Sequence, residues 1–385
     1  MFNIIHILGS TGLGGVQKNL LNKSAYDKTF KIQRSVICII RTNGSLKEEF
    51  NNSNIGISNC LIIPSDNNYR PYRLFKFIRK IISVFFIFRL YFCLKKHSAE
   101  VVHSEDTSRI LSQIIASKLA KKVFIWQLHT NFKLIKNRFI AYILLYLIKK
   151  NMITMVADSV STIKSNIPSL MNNNMYKIIP PGIDFKQFKY STESNRLRKK
   201  YNLKKENIIL GSVGRLHEQK GFQILIGAME KIIKKYKNIV LFIAGDGPMK
   251  SSLKKLIQKL HLEERVILCG PIKNIPSFLN NIDIFIQPSL YEGFPLSVIE
   301  AVAAQKPIIA TNVGGVSEVI IDEKTGILVD RNSMPELEKG IARMLSISKK
   351  QKNNFVKAGY EKCQKFTTEL SVKKDLSVYN NLVRK

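Results

Sequence analysis

The sequence predicts an α/β protein built from two doubly wound, mostly parallel sheets. Three observations lead there. Short apolar strand-like runs alternate with longer helical patterns from one end of the chain to the other, which argues for parallel sheets with helices on both faces. At 385 residues the chain exceeds one ordinary core and fits two domains. A turn-rich segment, Ile179-Pro180-Pro181-Gly182-Ile183-Asp184, divides the series in two.

In order, Ile4–Leu8, Ser35–Ile40, Val101–His103, Val123–Gln127 and Ile153–Val156 are the candidate strands of the first half. Ile208–Val213, Ile239–Ala244, Val266–Cys269, Ile284–Gln287, Pro307–Ala310 and Ile327–Val329 are those of the second. The expected division is 1–184, 185–362 and a tail of 363–385. The tail segment Phe366 to Val383 reads as an amphipathic helix, with Leu370, Leu376, Tyr379 and Leu382 as apolar positions.

The segment from Leu290 to Glu318 is the most informative. Glu292 and Glu300 stand eight positions apart, separated by Gly293-Phe294-Pro295-Leu296-Ser297. Pro295 suits the first turn of a helix expected over about Leu296 to Ala304. The N–H groups near Leu296 and Ser297 then form an anion site. Glu300, one turn past Leu296, is unsuited to phosphate but suits sugar hydroxyls. One turn therefore offers diphosphate binding beside two hydroxyl-binding carboxylates, which is what a nucleotide-sugar requires.

Upstream, Gly214-Arg215-Leu216-His217-Glu218-Gln219-Lys220-Gly221 follows the strand ending at Val213. Arg215 forks onto phosphate oxygens and Lys220 supplies a point charge. Gly245-Asp246-Gly247-Pro248 is a turn whose residues mainly shape a loop. At the N-terminus, Gly9-Ser10-Thr11-Gly12-Leu13-Gly14-Gly15-Val16 leads from the first strand to a helix near Val16, with a glycine spacing that is not Gly-x-Gly-x-x-Gly. His129 and His103 each end a candidate strand, where open α/β sheets place ligands.

Taken together, Glu292-x7-Glu300, Lys306-Pro307-Ile308-Ile309-Ala310 and Gly314-Gly315-Val316-Ser317-Glu318 resemble family 4 of the retaining glycosyltransferases. The resemblance is strongest from Ile208 to Ile320 and looser before Asn151. It implies the GT-B fold, in which two Rossmann-like domains face a central cleft, and a last helix that crosses back to the first domain. It implies metal-independent transfer of a hexosyl group, with no cofactor beyond the nucleoside diphosphate sugar donor. It places Arg215 and Lys220 on the diphosphate, Glu292 on sugar hydroxyls and Glu300 on the ribose or nearby hydroxyls. Gly14, Gly15, Gly214 and Gly270 allow close approach of the donor, and His129 lies over the transferred sugar. Three positions depart from the pattern. Glu105 stands where relatives carry a second histidine, Gln305 where they carry glycine, and Pro181 where asparagine is commoner. A GT-B enzyme of other chemistry, such as a nucleotide-sugar epimerase, is the alternative. No Asp-x-Asp occurs, which argues against the metal-dependent glycosyltransferase fold.

The net charge of +33 is uneven. Between Asp66 and Asp158, 17 basic residues face only Glu100, Glu105 and Asp106. Such a field suits an anionic partner. Charge alone does not choose among a membrane, a phosphorylated lipid and a nucleic acid. A nucleic-acid-binding protein is a further alternative favoured only by charge, no such module being recognisable. The expected partner is an anionic membrane surface with a lipid-linked saccharide acceptor. Tyr72 to Lys96 reads as a helix with basic residues Arg73, Lys76, Arg79 and Lys80 in its first turns and Phe85, Phe86 and Phe88 beyond, either a domain helix with a buried second half or a membrane-docking one. Its apolar stretch, Ile81 to Leu94, is too short to span a bilayer. Five scattered cysteines, Cys38, Cys60, Cys93, Cys269 and Cys363, and an apolar first strand point to a reducing compartment and no leader. The expected location is cytoplasmic, peripheral on the inner face of the cell membrane.

Overall fold

The structure, a computed structural model, describes residues 2–10, 14–41, 46–53, 55–59, 75–107, 109–129, 138–168, 176–189 and 196–384. The chain forms two compact units. One comprises Met1–Gly182 with Thr368–Lys385, the other Ile183–Thr367.

Among its described residues the first unit holds seven strands: β1 (Phe2–Ser10), β2 (Ile32–Arg41), β3 (Gly56–Asn59), β4 (Val101–Ser104), β5 (Val123–Leu128), β6 (Thr154–Ala157) and β7 (Tyr176–Ile178). They are ordered β3-β2-β1-β4-β5-β6-β7 and all pair in parallel. The second unit holds β8 (Ile208–Val213), β9 (Ile239–Ala244), β10 (Val266–Gly270), β11 (Ile284–Gln287), β12 (Ile308–Thr311) and β13 (Ile327–Val329). Their order is β10-β9-β8-β11-β12-β13, again parallel throughout. Both sheets are the doubly wound, Rossmann-like kind that the alternation predicts.

Two strands escape sequence reading. β3 and β7 are short edge strands that carry polar residues, Ser58 and Asn59 in one and Lys177 in the other. An edge strand needs no continuous apolar run because one side of its ladder is open. The central strands are buried on both faces. In β9, Leu241 and Ile243 pack on one side of the second sheet, while Val240 and Phe242 pack on the other. That period of two splits the unit into two cores.

In the first unit, Ile5, Ile7, Phe124 and Trp126 face the helices Phe75–Lys95, Ile110–Leu119 and Arg138–Lys149. Ile4, Val101 and Ile125 on the opposite face meet Val372 and Tyr379 of the last helix, Thr368–Val383. Of the helix expected over Tyr72 to Lys96, Phe75–Lys95 is seen as helix, and residues 72–74 lie outside the described residues. Phe86 is buried in this core rather than exposed with its neighbours Phe85 and Phe88. Helical periodicity accounts for the difference, since Phe86, Leu90 and Leu94 share the inward face at spacings of four.

Each sheet has one point at which the strand order reverses, β1/β4 in the first and β8/β11 in the second. The carboxyl ends of strands at such a point are where a ligand meets an open α/β sheet.

Candidate active site

At the reversal in the second sheet, two loops are stitched together. The loop after β8 forms a 3-10 turn, Glu218–Lys220, capped by the His217 ring. It ends at Gly221, whose φ of 64° is left-handed. A Cβ on Gly221 would lie 2.0 Å from the Pro288 carbonyl oxygen, so only glycine allows the loop to press against the segment after β11. The contact is sealed by Leu290 N–H donating to Gln219 O at 2.8 Å and Gln219 Nε2 donating to Tyr291 O at 3.0 Å.

This seam delivers Lys220 Nζ to 2.6 Å from Glu292 Oε1. The same oxygen accepts from Gln287 Nε2 at 2.7 Å and from Ser289 Oγ at 2.6 Å. Gln287 Oε1 in turn accepts from Ser297 Oγ at 3.0 Å. Thr311 holds the Ser289 backbone through its hydroxyl. Glu292 is buried, as are Gln287 and Ser289. A buried carboxylate survives there because a cation and neutral donors replace its water.

The helix Leu296–Ala303 begins beside this cluster, with Pro295 at its cap. Leu296 N–H donates to Phe294 O at 3.0 Å. That N–H is therefore spent within the turn, and the expected anion site does not include it in this state. Ser297 joins the cluster through its hydroxyl, and Glu300 is buried one turn further along. Arg215 is exposed in the loop after β8.

The ends of β8, β9 and β10 carry a backbone ladder in which Gly214 N–H donates to Ala244 O at 3.0 Å and Gly245 N–H to Gly270 O at 2.9 Å. A Cβ on Gly245 would meet Gly214 O at 1.8 Å, so the glycine lets neighbouring loops pass. Gly270, with a φ of 72°, has open space where a side chain would be.

At the reversal in the first sheet, Gly14 caps the Gly15–Ser24 helix in extended conformation. Residues 11–13 of the preceding loop lie outside the described residues. His129, just past β5, sits between two carboxylates. Its Nδ1 is 2.9 Å from Asp158 Oδ2 and its Nε2 is 2.6 Å from Glu105 Oε2. These carboxylates raise its pKa to about 10 against the opposing effect of burial. Glu105 is held well below the usual carboxylate range, its burial outweighed by His103, His129 and His6.

The cluster extends inward. His6 Nδ1 meets Glu105 Oε1 at 3.1 Å, and Arg34 Nη1 meets His6 Nε2 at 3.0 Å. Gln127 Nε2 donates to Asp158 Oδ1 at 2.7 Å, while its Oε1 lies 3.1 Å from His103 Nε2. His103 Nδ1 meets the Tyr379 hydroxyl at 2.7 Å. His6 and His103 are register partners across β1 and β4, and their rings stack at 5.2 Å. Together with Glu105, they bring three polar atoms within 4.8 Å of one another, which pair with protein groups and are not read as metal ligands. Each of their ring nitrogens already has a hydrogen-bond partner.

The structure brings Lys220, Glu292 and Ser297 into one cluster and sets His129 between Glu105 and Asp158, while the sequence does not single out Gln287, Ser289 or Asp158. Gln287 is a polar residue closing an apolar strand, a signal that was there to be used. His6, Arg34 and Tyr379 are single polar positions within strands and a helix, and only pairing reveals that they converge. Glu105, a departure from the family pattern, proves to be a direct partner of His129.

Residues 193–362 match the family described as glycosyl transferases group 1. An uncharacterized glycosyltransferase of Methanocaldococcus jannaschii is 30% identical over 63% of this chain and 60% of its own length. The UDP-Gal:alpha-D-GlcNAc-diphosphoundecaprenol alpha-1,3-galactosyltransferase of Escherichia coli is 30% identical over 48% of this chain and 50% of its own. The matched region thus spans about half the length of these curated relatives. Among solved structures, Anabaena HepE in complex with UDP and glucose superposes with a TM-score of 0.80 at 19% identity, over 99% of this chain and 100% of that one. The fold is GT-B, with two parallel-sheet Rossmann-like units.

Proposed function

We propose that this chain is a family 4 glycosyltransferase that moves a hexosyl group from a nucleoside diphosphate sugar to an acceptor, with retention at the anomeric carbon and without a metal. The observation that carries the reading is the Lys220–Glu292–Gln287–Ser297 cluster at the reversal of the second sheet, inside the segment that matches group 1 glycosyl transferases. A cation, a buried carboxylate and a helix start converge there, and a diphosphate joined to a sugar needs all three.

In this reading Arg215 and Lys220 stabilise the departing diphosphate, the main electrostatic contribution. Glu292 orients sugar hydroxyls, and Glu300 engages the ribose. Gly214 and Gly270 leave room for the nucleotide, and Gly14 and Gly15 for phosphates and acceptor. His129 lies over the transferred sugar.

The acceptor is a lipid-linked saccharide reached from the cytoplasmic membrane face. The name of the E. coli relative specifies such an acceptor. Phe85, Phe88 and Phe92, exposed by 60%, 53% and 58%, share one face of the Phe75–Lys95 helix and supply an apolar contact for the bilayer. No described helix is long and apolar enough to cross a membrane, so attachment would be peripheral. The test is a donor screen that reads release of UDP or GDP in the presence of a membrane lipid extract. Release with none of the common nucleotide-sugars would overturn the proposal.

A further inference from the structure

The polar cluster at the end of the first sheet has one hydrogen-bond direction at every link when its inner histidines are neutral and its carboxylates ionised. Arg34 only donates. Its Nη1 contact therefore makes His6 Nε2 an acceptor, which leaves the His6 proton on Nδ1, donated to Glu105 Oε1. At the other end, Gln127 Nε2 donates to Asp158, so Gln127 Oε1 accepts from His103 Nε2–H, and His103 Nδ1 accepts from the Tyr379 hydroxyl. Both chains of donors thus end on carboxylates, Glu105 and Asp158, which only accept when ionised. The His129 ring bridges those two carboxylates through its two nitrogens. With both carboxylates ionised, the ring donates from both nitrogens.

We propose that Glu105 and Asp158 are positioning residues that hold His129 as an immobile imidazolium, so that it serves the reaction as a fixed cation and never as a proton acceptor. This rests on the reading that the transferred sugar lies over His129. Burial alone would strip a histidine of its proton, and the two inner rings follow that rule. His6 is lowered to about 4 and His103 is also lowered, burial being the largest cause for each. His129 goes the other way because it alone has a carboxylate on each nitrogen. The titratable and charged groups around it are Glu105 after β4, Asp158 after β6 and, beyond Glu105, His6 on β1 and His103 on β4, with Arg34 on β2 and its partner Asp27 behind His6. Each carboxylate fixes one ring nitrogen, so together they set both protonation and ring orientation.

The consequence for pH dependence has a definite sign. In the wild type, His129 keeps its charge throughout the neutral range and contributes no limb to a pH–rate profile there. Replacing Asp158 with asparagine removes one anion, and the His129 pKa drops toward its ordinary value. The ring then loses a proton as pH rises through neutrality, and turnover falls on the alkaline side by about tenfold per pH unit.

The experiment is nitrogen NMR of the full-length 15N-labelled chain, with the His129 signals assigned from the His129→Gln variant. At pH 8 we expect both His129 nitrogens protonated, His6 protonated on Nδ1 alone and His103 on Nε2 alone. In Asp158→Asn, His129 should titrate between pH 6 and 8. A wild-type His129 with a bare nitrogen at pH 8, or an unchanged titration in the variant, overturns the clamp. This readout needs no substrate, so it stands apart from the donor screen. Once a donor is in hand, kcat against pH tests the functional half. Wild type should be flat from pH 6.5 to 8.5, Asp158→Asn should lose its alkaline side, and donor KM should change little. A variant profile that stays flat overturns that half.

Discussion

Lys220 and Glu292, 72 positions apart in sequence, meet at 2.6 Å on the seam between the loops after β8 and β11. The pair joins the cation proposed for the diphosphate to the carboxylate proposed for the sugar. Glu292 does not depend on Lys220 alone, because Gln287 and Ser289 donate to the same oxygen. Lys220 is therefore free to turn to a phosphate while Glu292 keeps two donors. The geometry suits a site that rearranges when the donor enters.

The first prediction follows from that redundancy. Lys220→Ala and Arg215→Ala should each cut turnover by orders of magnitude while leaving the fold intact. Losing a charge-assisted donor at a developing anion costs on the order of 2.7–4 kcal/mol of transition-state stabilisation. Steady-state kinetics with thermal melts of both variants would check this. Near-wild-type turnover in both would remove the diphosphate assignment.

The second prediction concerns metals. Arg215, Lys220 and the start of the Leu296–Ala303 helix take the place of a bridging cation in the proposed mechanism. Turnover should therefore persist in excess EDTA. Loss of transfer on chelation, with recovery on adding magnesium or manganese, would refute the mechanism.

How much of this was legible in the sequence depends on the kind of residue. The strands Ile208–Val213, Ile239–Ala244, Ile284–Gln287 and Ile327–Val329 have the bounds their apolar runs suggest, because buried parallel strands read as continuous apolar segments. β3 and β7 did not, being polar edges. Among site residues, those on glycine-rich or proline-marked turns, such as Lys220 and Glu292, carried a local signal. The pairing around His129 carried none, since its partners Glu105 and Asp158 follow two different strands, β4 and β6, that only the sheet order brings to either side of it. Gln305 is instructive in another way. It departs from the family glycine, and its φ of 54° is the left-handed conformation that favours glycine after a helix.

A third prediction tests what ties the last helix to the Gly15–Ser24 helix. Lys23 Nζ and Asp375 Oδ2 form a buried ion pair at 2.7 Å, with side chains 7% and 1% exposed. Asp375→Ala would strand the Lys23 ammonium in that interior. Breaking a buried pair from one side costs about 3–5 kcal/mol. The single tryptophan, Trp126, is buried in the same unit and reports its unfolding by fluorescence. The variant should unfold at clearly lower denaturant. Restoring a neutral pair with Lys23→Met in the same chain should recover part of the loss. An unchanged midpoint in Asp375→Ala would mean that the helix is held by its apolar contacts alone.

The last prediction is membrane attachment through the first unit. Its motive is the basic stretch between Asp66 and Asp158 together with the exposed aromatic residues within it. Tyr142 and Tyr146, 69% and 50% exposed on the Arg138–Lys149 helix, add to Phe85, Phe88 and Phe92. Arg73 lies outside the described residues, as do the side chains of Lys76, Arg79, Lys80 and Phe139. Charge should bring the protein to anionic lipid, and each basic residue near the surface contributes about 1 kcal/mol. The aromatic rings should then hold it at the interface. Salt screens the first contribution and not the second. The protein should therefore sediment with anionic vesicles at low salt, bind neutral ones much less, and come off only in part at high salt. Replacing Arg73, Lys76, Arg79 and Lys80 with glutamine should remove the salt-sensitive part. Replacing Phe85, Phe88 and Phe92 with serine should remove the salt-resistant part, and neither set should alter donor hydrolysis. Equal partition onto neutral and anionic vesicles, or none onto either, would leave the basic residues as an ordinary solvated face.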